Sequence, residues 1–449
     1  MRKKLLFIIL IILLSINVVS ANSTPTFWHA EPLAEVLIVD DNTPIEVKSE
    51  HLIFDLNDPS VPDNSFWLSG LVSASYEMSN PTDEELVVRM LFPFKDRLDQ
   101  IRFDLLSVVD NEKVIDYQLL MDYHDYQSDK SILELSGFVR GSLDYDIKLN
   151  KQVKLYQLDL SAAERIIFEI DIDYDSAEVM VIGFGNLSGH SYDGNLNHKL
   201  SSWLEKDETI YLLVLGGDIQ FTVEGYEDYQ KKSIKELDYQ LEESTVNGQA
   251  YLLDFIAKSM HDNLNAKISD QQLLNCLGYY LSNHSNRFIQ DWDIIASINQ
   301  DRLFGMDYQI TFEPYQTKQI TVSYLINGSM DKTETKTPQY HFEYLLSPAK
   351  NWAAFNDLTI DLFTSPDALY VLDSSVDFMT IDEGHYQYQS NDLPNSELTF
   401  TLYHNETIDF FDRVEHVIYK WQYLIIFVTP LVVGILLLWF ILTRFKRRK

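Results

Sequence analysis

Period-two alternation of apolar and polar residues runs through most of this chain. In LVSASYEMS, Val72, Ala74, Tyr76 and Met78 alternate with Ser73, Ser75, Glu77 and Ser79, as in a strand with one buried face. Asn80-Pro81-Thr82-Asp83 is turn chemistry. LVVRMLF then resumes at 86–92, and Pro93, lacking a ladder donor, is expected to end it. The pattern predicts a β-hairpin over 71–92. In 166–175, Phe168, Ile170, Ile172 and Tyr174 face one way and Glu169, Asp171, Asp173 and Asp175 the other. Shorter strand candidates are 35–39, 44–48, 51–56, 131–139, 178–182 and 209–215. The signal returns in 308–324, where Tyr308, Ile310 and Phe312, then Ile320, Val322 and Tyr324, flank a Glu313-Pro314 turn. A second hairpin is expected there. Strands over 340–346, 358–362 and 398–404 follow, with a short helix opened by Ser347-Pro348.

Residues 226–304 carry a different rhythm. The charged run 231–243 reads as a helix. Leu252, Phe255, Ile256 and Met260 recur near helical spacing. Ser269 and Gln272 form a capping box ahead of LLNCLGYYL, and 288–298 is expected to be a further helix.

The two ends predict topology. Residues 423–442 are twenty uncharged residues, enough to cross a hydrocarbon core of about 30 Å as a helix. Arg444, Lys446, Arg447, Arg448 and Lys449 follow, which sets the tail on the cytoplasmic side. Trp421, Tyr423, Trp439 and Phe440 suit interfacial belts. Arg2, Lys3 and Lys4, the apolar stretch 5–14 and the small residues Val19-Ser20-Ala21 form a secretory signal. The expected order is a signal peptide (1–21), an N-terminal β-sandwich region (22–225), a helical segment (226–304) and a membrane-proximal β-sandwich domain (305–408). A juxtamembrane and transmembrane helix (409–442) and a basic tail (443–449) complete it. The fold class is mainly β: two antiparallel sandwich regions, a helical segment and one C-terminal transmembrane helix.

A formal net charge of −33 argues against nucleic-acid partners. Apolar content of 46% with 13% aromatic residues is too high for an acidic disordered chain. Cys276 is the single cysteine, so no intramolecular disulfide forms, and its apolar surroundings predict core packing.

The search for chemistry yields little. Asp171, Asp173 and Asp175 open like an EF-hand loop, but Ser176 replaces the required glycine and Ile182 the bidentate glutamate. Loop carboxylates are the remaining metal candidates: Asp55, Asp58 and Asp63 in one cluster, Asp122, Asp125 and Asp129 in another. Turn and capping duty is the competing role for each. Gly183-Phe184-Gly185 follows a strand, but no helix start follows it to hold a pyrophosphate. Ser188 and His190 are neighbours without a third partner. No catalytic or cofactor-binding residue is assigned, and calcium is the one cofactor with any candidates.

The stretch YEMSNPTDEELVVRMLFPF (76–94) resembles a recurring piece of single-pass surface proteins of Gram-positive type: strand, Asn-Pro-Thr-acid loop, strand ending in Phe-Pro-Phe. ITFEPYQTKQITVSY and YHFEYLLSPAKNWAAFNDLTIDL (340–362) resemble the companion β-domain. The first piece is also loosely similar to the opening hairpin of vault/inter-α-trypsin-type β-domains. The resemblance implies a fold style and a cell-surface location, and no chemistry. The expected function is an anchored, non-catalytic extracellular binding or scaffold protein, or an accessory subunit of a surface complex. It would hold the bilayer through 423–442 and engage a membrane or cell-surface partner. The alternatives are an anchored hydrolase of wall polymer and a calcium-dependent adhesin.

Overall fold

The structure, a computed structural model, describes residues 27–28, 33–34, 37–38, 43–61, 67–124, 152–192, 197–260, 267–414 and 416. The strand candidate 131–139, the signal (1–21), the span (423–442) and the tail (443–449) lie outside the described residues. Among the described residues, no helix is long and apolar enough to cross a membrane.

The protein is mainly β, with five sheets among the described residues. The largest runs in the order Met379–Asp382, His385–Ser390, Leu358–Phe363, Glu46–Asp55, Ser69–Ser79, Thr317–Asn327, Ser107–Asp110, Lys113–Ile115, with Ala354–Phe355 beside Glu46–Asp55. All neighbours are antiparallel except the two pairings of Glu46–Asp55 with Ala354–Phe355 and Leu358–Phe363. One face of this nine-stranded sheet is apolar and covered. Phe54 meets Tyr344 and Phe400 edge-on at 5.7 and 5.4 Å, from a six-stranded sheet that includes Gln339–Leu345 and Leu398–Tyr403. Tyr324 meets Phe92 at 4.4 Å, from a four-stranded sheet built on Leu86–Asp96 and Arg302–Phe312. Aromatic pairs at such spacing add to the burial itself.

The two expected hairpins form strands at the predicted places but with other partners. Ser69–Ser79 pairs with Glu46–Asp55 and Thr317–Asn327, whereas Leu86–Asp96 pairs with Arg302–Phe312 and with 37–38. Each supposed hairpin is an arch that carries the chain from one sheet to the other. The arches stack, so Thr317 lies opposite Ser79 and Phe312 opposite Leu86. Strands from 22–225 and 305–408 therefore share both sheets. Asn80 joins the two bends. Fully buried, it donates through Nδ2 to the carbonyls of Glu84 (2.7 Å) and Glu313 (3.1 Å). Its Oδ1 accepts from the Thr82 amide (3.0 Å) and hydroxyl (2.7 Å). The Tyr315 amide donates to the Thr82 carbonyl and the Asn80 amide to the Gln316 carbonyl. Pro93 does not end its strand. It lies opposite Gly305, and the strand on its other side reaches only Met90 and Leu91, so no ladder bond there needs its missing donor.

Between these arches the chain builds a second unit. Gln152–Ser161, Met180–Phe184, Glu208–Leu215, Asp238–Asn247 and Phe288–Gln290 form one five-stranded sheet; Ile166–Tyr174, Gly189–Tyr192, Asn197–Leu204, Ile219–Tyr226 and Ile234–Lys235 form another. They close on a core of their own, in which Leu158, Leu160, Phe168, Ile170, Ile172, Leu200, Ile210 and Leu212 are buried. The alternation read in 166–175 matches this, since Phe168, Ile170, Ile172 and Tyr174 point inward.

The run 231–243, expected to be helical, contributes instead to strands Ile234–Lys235 and Asp238–Asn247; the latter pairs with Gln152–Ser161 along its whole length. Pairing overrides its weak helical pattern. Three helices follow: α1 (Gly248–Met260), α2 (Asp270–Asn283) and α3 (Asp291–Ile298). Asn247 Oδ1 accepts the Ala250 amide ahead of α1, and the Ser269–Gln272 capping box opens α2. Leu252, Ile256, Cys276, Leu277, Ile294 and Ile298 bury into the larger core. Residues 288–290, expected to be helical, form a strand parallel to Met180–Phe184. The short helix at Ser347 is a 3-10 turn over Ser347–Asn351 with proline in its first turn.

Candidate functional site

The other face of the nine-stranded sheet is polar. Across its antiparallel strands, Ser73 and Ser323 hydroxyls lie 3.1 Å apart, Ser75 and Thr321 2.8 Å apart, and Ser69 donates to Asn327 Oδ1 at 2.6 Å. These cross-strand pairs fall on one face because directly opposed residues share a side.

The chemistry gathers where the sheet turns parallel. The alternation that buries Leu358, Ile360 and Leu362 turns Asp361 and Phe363 to the other face. Asp361 lies opposite Ile53 on one side and Gln387 on the other; Phe363 lies opposite Asp55 and His385. Long side chains reach diagonally across such a face. His51 Nε2 sits 2.7 Å from Asp361 Oδ2; His385 Nε2 (2.7 Å) and Gln387 Nε2 (2.9 Å) both reach Oδ1. Asp361 accepts, so each imidazole presents Nε2–H to it. Burial pushes the Asp361 carboxyl up, but the bonds from His385, His51 and Gln387 outweigh it and hold it below the ordinary carboxylate range. The His385 ring stacks on Phe363 at 4.4 Å and 20°.

Beyond His385, at the carboxyl ends of the parallel strands, lies an open groove of about 520 Å³. It is lined by Asp55, Asn57, Phe363, Thr364, Glu383 and His385, with Pro366, Leu369 and Gly384 completing the wall. Gly384 holds φ at +76°, a conformation that favours glycine.

The carboxylates singled out from sequence fall into three places. Asp55 lines this groove, and its Oδ1 accepts the Asn57 amide at 3.0 Å. Asp58 accepts from the Ser60 amide and hydroxyl at 2.7 and 2.5 Å. Asp122, nearly buried, accepts the His124 amide at 2.8 Å and meets its Nδ1 at 2.9 Å. All three close turns on their own following residues. Asp63, Asp125 and Asp129 lie outside the described residues. Among the described residues, no three His, Cys, Asp or Glu side chains are placed to hold a metal ion. Asp171 and Asp173 both accept from Asn197, Asp171 also meets Lys199, and Asp175 accepts the Asp218 amide. After Gly185 the chain enters the strand Gly189–Tyr192, with no helix N-terminus. Ser188 Oγ pairs with Ser202 Oγ at 2.9 Å. Cys276 is buried, and burial pushes its thiol up to about 11.

No protein-family profile matches the sequence. No curated protein is similar to it. Among solved structures, a "putative nutrient binding protein" of Legionella pneumophila aligns over 87% of this chain and 75% of its own, at 10% identity and a TM-score of 0.31. A likeness that slight decides nothing about fold or function.

Proposed function

We propose that this chain is an anchored extracellular binding or scaffold protein, or the accessory subunit of a surface complex, and that the groove beside His385 is its ligand site. Residues 1–21 would direct export, 423–442 would cross the bilayer and 443–449 would stay inside. The β body would stand outside, as in the Gram-positive surface proteins that 76–94 resembles. Nucleic acid is no partner for so acidic a chain.

One observation carries the reading. Both imidazoles commit Nε2 to Asp361 and the His385 ring stacks on Phe363, so the cluster fixes the wall of the groove that His385 and Phe363 line.

The test is a ligand-observed NMR screen of the full-length protein in detergent, with wall-polymer fragments, oligopeptides and small amines. Asn57→Trp fills the groove from an exposed lip. A ligand whose signal disappears in Asn57→Trp, at unchanged melting temperature, supports the proposal. Binding indifferent to that substitution, or cleavage of a wall fragment, contradicts it.

A further inference from the structure

The strand Asp238–Asn247 ends its sheet. Ten residues long, it pairs residue for residue with Gln152–Ser161 without a register shift, and among the described residues no strand lies along its other side. Natural sheets blunt such edges by shortness, charged side chains, proline or a bulge. This strand has no proline or bulge, and its charges, Asp238, Glu242 and Glu243, are all acidic, so they repel acidic or like-charged strands and leave the edge open to a basic one.

Its two faces carry different chemistry. Tyr239 and Leu241 lie opposite Leu160 and Leu158, which are buried in the core between the two five-stranded sheets. Tyr239 and Leu241 thus occupy core-facing positions, yet they remain 46% and 50% exposed. Among the described residues nothing closes the core along this side, and Phe221 and Val223 of the facing sheet are only partly covered. On the other face, Asp238, Gln240 and Glu242 lie opposite Ser161, Asp159 and Gln157. That face is acidic and has no cation among these six residues.

We infer that Asp238–Asn247 is a docking edge for an extended segment of a partner protein in which basic and apolar residues alternate. Such a segment would add a strand to the sheet, as in β-augmentation. Its apolar side chains would close the core over Tyr239 and Leu241; its basic ones would meet Asp238, Glu242 and Asp159. A second copy of the chain is the poorer occupant. Two such strands paired antiparallel about their centre would set Glu242 against Glu243, and like charges directly opposite are unfavourable. The surface is separate from the groove and does not depend on it.

The experiment uses full-length protein in detergent and three labelled heptapeptides: Lys-Val-Lys-Val-Lys-Val-Lys, the same pattern with Glu for Lys, and the first composition with its lysines in one block. Fluorescence anisotropy should show the alternating basic peptide binding at least about fivefold tighter than either control. Amide exchange across 238–247 should slow when it binds. Glu242→Lys leaves the Lys154–Glu243 pair (2.9 Å) intact and should weaken the basic peptide about fivefold while favouring the acidic one. Equal binding of alternating and block peptides overturns the inference, as does unchanged exchange in the wild-type protein.

Discussion

Replacing Asn80 should loosen both arches at once. Asn80→Ala deletes the donor bonds to Glu84 and Glu313, a longer one to Phe312 (3.5 Å), and two acceptor bonds from Thr82. The Glu313 carbonyl and Thr82 amide lose partners at a fully buried side chain. Water can reach part of the bend, because Glu84 is exposed. A net bond is worth about 1 kcal/mol and a stranded buried group about 1–3 kcal/mol, so the loss should be about 2–4 kcal/mol. Asn80→Asp sharpens the test. It keeps the acceptor for Thr82 but sets a carboxylate oxygen where Nδ2 meets these carbonyls. Near neutral pH it should destabilise at least as much as alanine. A carboxyl facing carbonyls has its folded-state pKa raised, so the folded protein binds the extra proton first. Stability of Asn80→Asp should therefore rise as pH falls through that raised value, relative to Asn80→Ala. The assay is urea unfolding of the full-length protein followed by tryptophan fluorescence, at neutral and mildly acidic pH. A loss below about 0.5 kcal/mol for Asn80→Ala, within the range of ordinary surface changes, would refute the clamp. So would an Asn80→Asp stability that tracks alanine at both pH values.

Two further outcomes follow from the site and the core. Asp361→Asn turns an amide donor toward one of the three donors that Asp361 now accepts, and should cost about 1–2 kcal/mol. The lowered Asp361 pKa stabilises the fold above the unfolded carboxyl value, and this is lost as pH falls through the folded one. The gap between wild type and Asp361→Asn in thermal melts should therefore be full at neutral pH and narrow in strong acid; a gap constant with pH would count against the clamp. The Cys276 thiol should resist iodoacetamide in native protein at about pH 8 and react on unfolding, as mass spectrometry would show; rapid native labelling would mean the helix packing is wrong.

Strands were readable wherever alternation was clean, because period two reports which side of a strand is buried. It does not report the partner. Ser73 faces Ser323 and Ser75 faces Thr321, across most of the chain, while the nearest candidate partners in sequence go to another sheet. A local turn signal at Asn80-Pro81 cannot tell a hairpin from an arch, since both reverse the chain; the distant strand partners separate them. The charged residues and scattered apolar positions of 231–243 suit a helix, whereas the strand Asp238–Asn247, which takes up part of that run, rests on its pairing with Gln152–Ser161. The candidate site was hidden for the same reason. His51, Asp361 and His385 form no motif in sequence and meet only because Leu358–Phe363 lies between Glu46–Asp55 and His385–Ser390. Outward alternation in Leu358–Phe363 marked Asp361 as facing away from the core, and nothing marked its partners. Of the loop carboxylates, Asp55 reached the groove, and the Asx turns of Asp58 and Asp122 answer to local chain reversal.

The proposed topology, with the β body outside the cell on a single span, is tested most directly by protease access on intact cells. One epitope is placed in the exposed arch at Tyr315 and another after Lys449. Added protease should remove the first and spare the second until the membrane is opened. Protection of the Tyr315 epitope with loss of the C-terminal one would contradict the orientation, and loss of both on intact cells would contradict the span.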